Sequence, residues 1–522
     1  MRSPLRSKAA PRAQVSSSKT YAAPVKGWNS SSALAEMRPD EAIRLDNWFP
    51  KTGYCEIRGG YADHATGMSG SGKSLMVYNR MNGTNAMFCA TESGVYDVTN
   101  PGAAGASVAA RTEGKHRWTM FGDGTSSWLI ACNGVDKPLY YDGATWVAVD
   151  GASTPALTGV TTTKLRGVAE FKGRLFFIEK DSLSFWYLTA GLAGGALTEF
   201  PLDGEAARGG YLLSMATWTR DGGSGMDDFA VFLTSQGEAL VYQGTDPSDA
   251  AKWSKVGTFN IGRPLSCGCM TQYGGDLIVT TERGVFLLSS ALNSASVDPK
   301  FALSRKIEDA FISAARQYGA DHSWRAHLYP AQSALIVNMP ILPGEQRRHE
   351  QYVMNTLTKA WCRFTEWPAE DFVVFNGDLY FCSGSAVYKA WTGTSDDGNN
   401  IVAEAKTAFS HFGKPGQVKK FKMLRPVMAA NGTFSFLTDL DVDFQDDDIV
   451  GTATYTTTSS ALWNSAIWDA AYWMETSRVL KEWTTPAEWP GVWAAGKIKV
   501  QTNSLTIQWM STDYLYEVGG IF

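Results

Sequence analysis

The sequence is poor in cysteine, in charge and in long apolar runs. Seven cysteines lie scattered at positions 55, 89, 132, 267, 269, 362 and 382. An odd, dispersed set is no disulfide framework and fits a chain made in a reducing cytoplasm. Cys267 and Cys269 read as one face of a strand, and no C-x-x-C pair supports a zinc site. Charged residues make up 19% against 12% aromatics, the reverse of the charge-rich, aromatic-poor balance of a disordered chain. The net charge of −5 excludes a uniformly basic nucleic-acid binder, so any DNA contact has to be local. No apolar run reaches the roughly 18 residues of a membrane-spanning helix. The basic opening carries no apolar h-region and does not read as a signal peptide. The six histidines form no H-E-x-x-H, and no G-x-S-x-G elbow exists. Asp142-Gly143-Ala-Thr-Trp146 is a single, wrongly spaced relative of an Asp-box. No catalytic set, metal site or cofactor site emerges, and the chain reads as a non-enzyme.

What is present is glycine, 51 residues of it, punctuating short apolar runs. From about 40 to 400 these runs pair across turn residues in the manner of antiparallel strands. The pairs are 85–90 with 95–98, 128–132 with 139–141, 174–179 with 183–188, 229–234 with 239–242, 277–281 with 285–288, 334–339 with 351–355, and 379–382 with 386–391. Each has a further apolar run beside it, giving three or four strands per unit. Such a sheet cannot bury its faces alone, and radial stacking covers both. The spacing therefore predicts an all-β chain containing a β-propeller of six to eight blades. One helix is expected over 306–318, where Ile307, Phe311, Ala314, Ala315 and Tyr318 share a face. Three regions follow: a basic arm over 1–35, the propeller over 36–400, and a C-terminal β-sandwich or platform-like domain over 401–522 with a Trp-rich connection.

The arm carries Arg2, Arg6, Lys8, Arg12, Lys19 and Lys26, with no acid before Glu36. It reads either as a flexible tail or as a segment that orders on a neighbouring subunit or on DNA. Gly67-Met-Ser-Gly-Ser-Gly72-Lys73-Ser74 matches the P-loop pattern letter for letter, but no apolar strand precedes it and Leu75-Met-Val-Tyr78 reads as a strand, so a Gly/Ser turn is expected. Asp439, Asp441 and Asp443 resemble the start of an EF-hand. Phe444 and Val450 stand where Gly and Glu are needed, so the loop fails. Alternation puts Leu440, Val442 and Phe444 toward a core, with the aspartates facing away. Asp446, Asp447 and Asp448 extend the acidic run, read as a solvated face or as an interface, weak cation or channel-lining patch. Trp463, Trp468 and Trp473 stand five apart, which matches neither helix nor strand. They anchor turns that stack on the chain's own core or on a subunit interface.

Several stretches resemble the tail-tube nozzle proteins of short-tailed bacteriophages (podoviruses). They are Leu45-Asp-Asn47-Trp-Phe-Pro50-Lys-Thr-Gly53-Tyr-Cys-Glu-Ile-Arg58-Gly-Gly60, the runs 88–101 and 133–146, the segment 229–253, Thr407-Ala-Phe-Ser with Arg425-Pro426, the Trp repeats, and Asp513-Tyr-Leu-Tyr-Glu-Val-Gly-Gly520. The resemblance covers about 45–522 and excludes the arm. It implies a propeller joined to a platform-like domain, a homohexameric ring below the adaptor, a channel for DNA during genome ejection, contacts with tail fibres or spikes, and a place in the virion tail. It supplies no catalytic residues. The competing expectation is a glycan-binding or polysaccharide-degrading tail propeller, with aromatic and carboxylate groups converging in its mouth.

Overall fold

The computed structural model describes residues 16–80, 83, 85–221, 226–291, 299–340, 350–449, 451, 453–456, 478–485 and 490–521. The chain is all-β and divides into two compact units, one spanning 58–401 and the other built from 1–57 together with 402–522.

The 58–401 unit is a seven-bladed β-propeller. Blade 1 holds Gly72–Tyr78, Ala86–Thr91 and Val95–Asp97. Blade 2 holds Arg117–Gly122, Ser127–Cys132, Leu139–Tyr141 and Trp146–Ala148. Blade 3 holds Leu165–Phe171, Arg174–Glu179, Ser184–Tyr187 and Thr198–Pro201. Blade 4 holds Leu212–Asp221, Met226–Thr234, Glu238–Gly244 and Trp253–Asn260. Blade 5 holds Met270–Tyr273, Asp276–Thr281 and Gly284–Leu287. Blade 6 holds Arg325–Tyr329, Ala334–Asn338, Glu350–Asn355 and Trp361–Thr365. Blade 7 takes Asp371–Phe375, Asp378–Ser383 and Ala386–Ala390 from the end of the unit and Tyr61–Thr66 from its start. Each blade packs on the next, and blade 7 packs on blade 1, so the ring closes. Each of the seven pairs of runs in the sequence falls in the middle of one blade.

Burial on both faces explains why these strands read as continuous apolar runs and not as alternating ones. Successive side chains point to opposite faces, and each face meets a different neighbour. Leu75 and Val77 pack on blade 7 with Phe375 and Tyr380. Met76 and Tyr78 pack on blade 2 with Leu129 and Leu139. In blade 4, Ala230 and Phe232 meet Phe176 and Phe185 of blade 3. Val231 and Leu233 meet Leu277 and Val279 of blade 5. Aromatic residues fill the wedge between blades 3 and 4, where Phe185 stacks on Phe232 at 4.4 Å and Tyr242 on Trp253 at 5.4 Å. The helix forms over Glu308–Tyr318 and buries Phe311, Ala314 and Ala315, with Ile307 buried just before it.

The ring is sealed by pairing the first strand of the unit with its last: Tyr61 lies opposite Ala390 and Ala65 opposite Val387. Just before this strand Arg58 is buried against Asp396, with Trp367 and Phe364 under its guanidinium at 5.0 and 5.7 Å. Gly59 and Gly60 follow because the returning chain passes too close for a side chain. A Cβ on Gly60 would sit 1.7 Å from the Ser395 carbonyl oxygen. The Arg58-Gly-Gly60 sequence is thus the seam of the propeller.

The second unit is a β-sandwich. One sheet runs Trp48–Pro50, Cys55–Ile57, Ile507–Ile521, Gln417–Ala430 and Arg478–Leu480, with Ser16–Ala22 also on Ile507–Ile521 and Pro490–Gly491 on Gln417–Ala430. The facing strands are Ala42–Asp46, Ile401–Thr407, Ala494–Thr502 and Phe436–Val442. Phe421, Leu424, Tyr514 and Tyr516 of the first meet Leu440, Val442 and Ala494 of the second in one core. Trp48 and Trp509 pack edge to face at 5.7 Å.

Two boundaries differ from the sequence reading. Residues 36–57 fall in one unit with the C-terminal strands, where Ala42–Asp46 pairs with Ile401–Thr407 and Cys55–Ile57 with Ile507–Ile521. The arm is not extended free chain up to residue 35. Ser16–Ala22 is a strand in register with residues 511–517. The Cys267–Cys269 stretch is likewise a turn and not a strand.

Candidate functional site

Of the arm's cations, Arg2, Arg6, Lys8 and Arg12 lie outside the described residues, as do Trp463, Trp468 and Trp473. Lys19 is exposed on the strand Ser16–Ala22, 5.9 Å from the Tyr21 ring centroid. Lys26 is exposed in the turn that follows, its backbone N–H donating to the Asp40 carbonyl at 3.0 Å.

The aspartates do come together, but in company. Strand Phe436–Val442 pairs with Ala494–Thr502 so that Asp439 lies opposite Lys497. Lys497 Nζ reaches Asp439 at 3.0 Å and Asp441 at 2.5 Å, and donates to the Asp447 carbonyl at 2.7 Å. Lys406 Nζ bridges Asp441 at 2.6 Å and Asp446 at 2.7 Å. Arg44 bridges Glu404 and Asp448, both at 3.3 Å, and Lys499 pairs with Glu404 at 2.8 Å. The side chains of Lys406, Lys497 and Asp441 are 7%, 5% and 3% exposed. Burial works against the charge of Lys497, yet Asp441 and Asp439 outweigh it and raise the lysine pKa. The hydrogen bond from Lys406 holds the Asp446 carboxyl below its usual range. Asp439, Asp441, Asp446 and Asp448 of the acidic run are therefore members of an ion-pair network, and the solvated face expected from alternation is corrected at Asp441. The lysines that bury it come from strands distant in sequence. Asp443 serves the backbone, its Oδ1 accepting from the N–H groups of Val492 and Trp493, both at 2.9 Å.

A second constellation escaped the sequence reading. In the propeller, charged residues occupy the first or second position of several blade-leading strands: Lys73, Arg117, Arg166, Arg325 and Asp371. Radial packing gathers them at one end of these strands. Arg325 Nη1 holds both oxygens of the buried Asp371 carboxylate at 3.0 and 3.2 Å, and Asp371 also accepts the Leu75 N–H at 3.1 Å. Lys73 pairs with Glu370 at 3.2 Å. Gly72–Tyr78 is a strand of blade 1, with no helix behind the P-loop-like letters. Arg117 Nε donates to Cys267 Sγ at 3.1 Å, and its Nη2 lies 3.3 Å from His322 Nδ1. A guanidinium can only donate, so that imidazole nitrogen is the acceptor and carries no proton. Burial works to raise the Cys267 pKa, but the charges of Arg117 and Arg166 outweigh it and lower it. By contrast, burial pushes the Cys269 thiol up to about 12. His116 and His327 are held neutral, burial lowering them to about 4 and about 3. Below this ring lies a cavity of about 360 Å³, lined by leading-strand residues of five blades, among them Leu75, Trp118, Met270, His327 and Phe372. The arrangement is chemically a charge-locked plug: each acid has a basic partner and the imidazoles are unprotonated. Among the described residues no group of three or more His, Cys, Asp or Glu side chains is placed to hold a metal ion, and no helix is long and apolar enough to cross a membrane. All seven cysteines are free thiols.

No protein-family model matches the chain, and no curated protein matches it. Solved structures resemble the chain only at low similarity. Raptor of Chaetomium thermophilum is 12% identical, with a TM-score of 0.36 over 64% of this chain and 29% of its own. YCF48 of Cyanidioschyzon merolae is 11% identical, with a TM-score of 0.33 over 65% of this chain and 98% of its own. BBS1N, solved in complex with ARL6DN, is 11% identical, with a TM-score of 0.28 over 45% and 74%. The chain spans under a third of Raptor. None of the three is a phage tail protein, and at these scores the likeness adds nothing to what the sheet topology shows: a seven-bladed propeller and a β-sandwich.

Proposed function

We propose that the chain is a structural subunit of a short-tailed phage tail, a nozzle protein that forms a homohexameric ring below the adaptor and extends the DNA path used in genome ejection. The observation that supports this most is where the nozzle-like sequence stretches fall. Asn47, buried in the left-handed region at φ 59°, donates from its side chain to the Val402 carbonyl at 2.8 Å. Arg425, of the Arg-Pro pair, binds Asp513 of the closing stretch at 2.6 Å. Arg58-Gly-Gly60 makes the propeller seam. The shared letters are thus the joints of both units, the positions that a common architecture constrains. Tail fibres or spikes, the adaptor ring and transiting DNA are the partners this reading implies.

The test is composition of the particle. The chain should be found in purified virions, at the tail, in a multiple of six copies. Absence from virions would overturn the tail reading, and depolymerisation of host polysaccharide by the purified chain would favour the glycan-active alternative.

A further inference from the structure

One sizeable cavity of the propeller unit lies off its axis. It measures about 580 Å³ and opens between blades 4 and 5 beneath the helix Glu308–Tyr318. Its walls are built tightly. The blade 4 hairpin turn at Gly237, φ 83°, presses on the connector to blade 5: a Cβ there would lie 2.3 Å from the Gly262 carbonyl oxygen. Gly262, φ 87°, in turn faces the stem of Arg283: a Cβ there would lie 3.5 Å from Arg283 Cδ. The Glu282 N–H donates to the Arg263 carbonyl at 2.8 Å, tying the blade 5 turn to the same connector. Arg263, Arg283 and Arg316 therefore line one preformed hollow from three separate elements, with Leu213, Leu265 and Ile312 as its apolar wall. Arg316 stands in the last helical turn, where the helix dipole favours a cation.

All three arginines are exposed at the rim of the hollow, and they differ from the carboxylate-paired cations of the unit. Lys73, Arg174 and Arg325 each face a carboxylate within 3.2 Å. Arg263, Arg283 and Arg316 have no side-chain hydrogen bond or ion pair within the described structure, and the one acid on the wall, Glu282, leaves a net excess of two positive charges. Three like charges converging on one hollow give it a positive potential, which attracts an anion. Guanidiniums match phosphate oxygens two at a time. An excess of two charges fits a dianion better than a monocarboxylate. The volume lies in the range of small-ligand sites.

We infer that this interblade cavity is a binding site for a phosphate-bearing small ligand, clamped by Arg263, Arg283 and Arg316. The inference is independent of the tail reading, since the hollow is complete within one propeller unit. The test is calorimetric titration of the full chain with pyrophosphate, glucose 1-phosphate and, as the monocarboxylate control, glucuronate. One site per chain should take both phosphates, more weakly at higher salt, and glucuronate at least tenfold more weakly still. Arg263→Gln with Arg283→Gln should weaken phosphate binding more than tenfold at unchanged thermal unfolding, whereas Lys252→Gln, on the blade 4 surface, should leave it unchanged. No saturable binding to the wild-type chain, or equal binding by the double variant, would overturn the assignment. Equal affinity for glucuronate would overturn the preference for a dianion.

Discussion

Arg58 and Asp396, 338 residues apart, form a two-point ion pair at 2.7 and 2.8 Å in the interior of the propeller. The arginine also donates to the Thr365 carbonyl at 2.6 Å and lies over Trp367. A charge this enclosed is tolerable only while its partner is present, so Asp396→Ala should destabilise the propeller by about 3–5 kcal/mol. Urea denaturation followed by tryptophan fluorescence reads the effect. A cost under about 1 kcal/mol would show that the pair does not hold the seam.

The seam also depends on two absent side chains. Gly60→Ala places a Cβ against the Ser395 backbone, which cannot swing aside as a side-chain tip can. It should lower the unfolding midpoint well beyond Gly53→Ala. Gly53, at φ 90°, has nothing within 4 Å of its added Cβ, so its cost is the left-handed backbone alone, about 1–2 kcal/mol.

The ion-pair network of the sandwich makes a contrast between neighbours. Asp441→Asn leaves Lys406 and Lys497 sharing a buried site without their common counter-charge, and should cost about 3 kcal/mol or more. Asp448→Asn removes an 84% exposed partner of Arg44 and should cost under about 1 kcal/mol. Because the Lys497 pKa is raised, its contribution is complete below the unfolded lysine pKa and is lost as pH rises through the folded one. Chemical denaturation of each variant at neutral and strongly alkaline pH checks both statements.

Acid should act on the propeller through its histidines. His116 and His327 titrate near 4 and 3 in the folded chain, burial being the main cause, and His322 is lowered well below its usual value. Unfolded imidazoles bind protons from about pH 6.5 downward. Between that pH and the folded values the unfolded state holds more protons, so stability falls as pH falls, by about 1.4 kcal/mol per pH unit for each histidine. His116→Gln should flatten the pH 6.5 to 4.5 slope by about that amount. An unchanged slope would contradict neutral burial.

Lys73 sits on a propeller strand and pairs with Glu370, and the surrounding letters form no phosphate loop. Equilibrium dialysis with ATP and Mg²⁺ should give the same result for the wild-type chain and Lys73→Ala.

The blades were legible in the sequence because each middle hairpin is an apolar run closed by a short polar turn, as at Gln236-Gly237 and Arg283-Gly284. Their number stayed between six and eight because blade 7 borrows Tyr61–Thr66 from the start of the unit, and no local signal announces such a pairing. The sandwich was harder to bound. Its strands at 42–57 pair with strands near residues 404–407 and 508–509, and register between segments hundreds of residues apart leaves no periodic trace. The Asp439–Asp448 run was visible as charge but not as a network, since Lys406, Lys497 and Arg44 lie on other strands. The propeller's charged plug was missed for a related reason. One arginine at the head of a strand is unremarked until the same position recurs in several blades and the ring brings them together.

The proposed nozzle role requires the chain to close into a six-fold ring. Cryo-electron microscopy of the purified 56.8 kDa chain, alone and mixed with its adaptor ring, tests it most directly. Closed rings of six subunits with an axial channel, formed alone or on a phage adaptor ring, are the expected result. Single particles of one chain in both samples would contradict it.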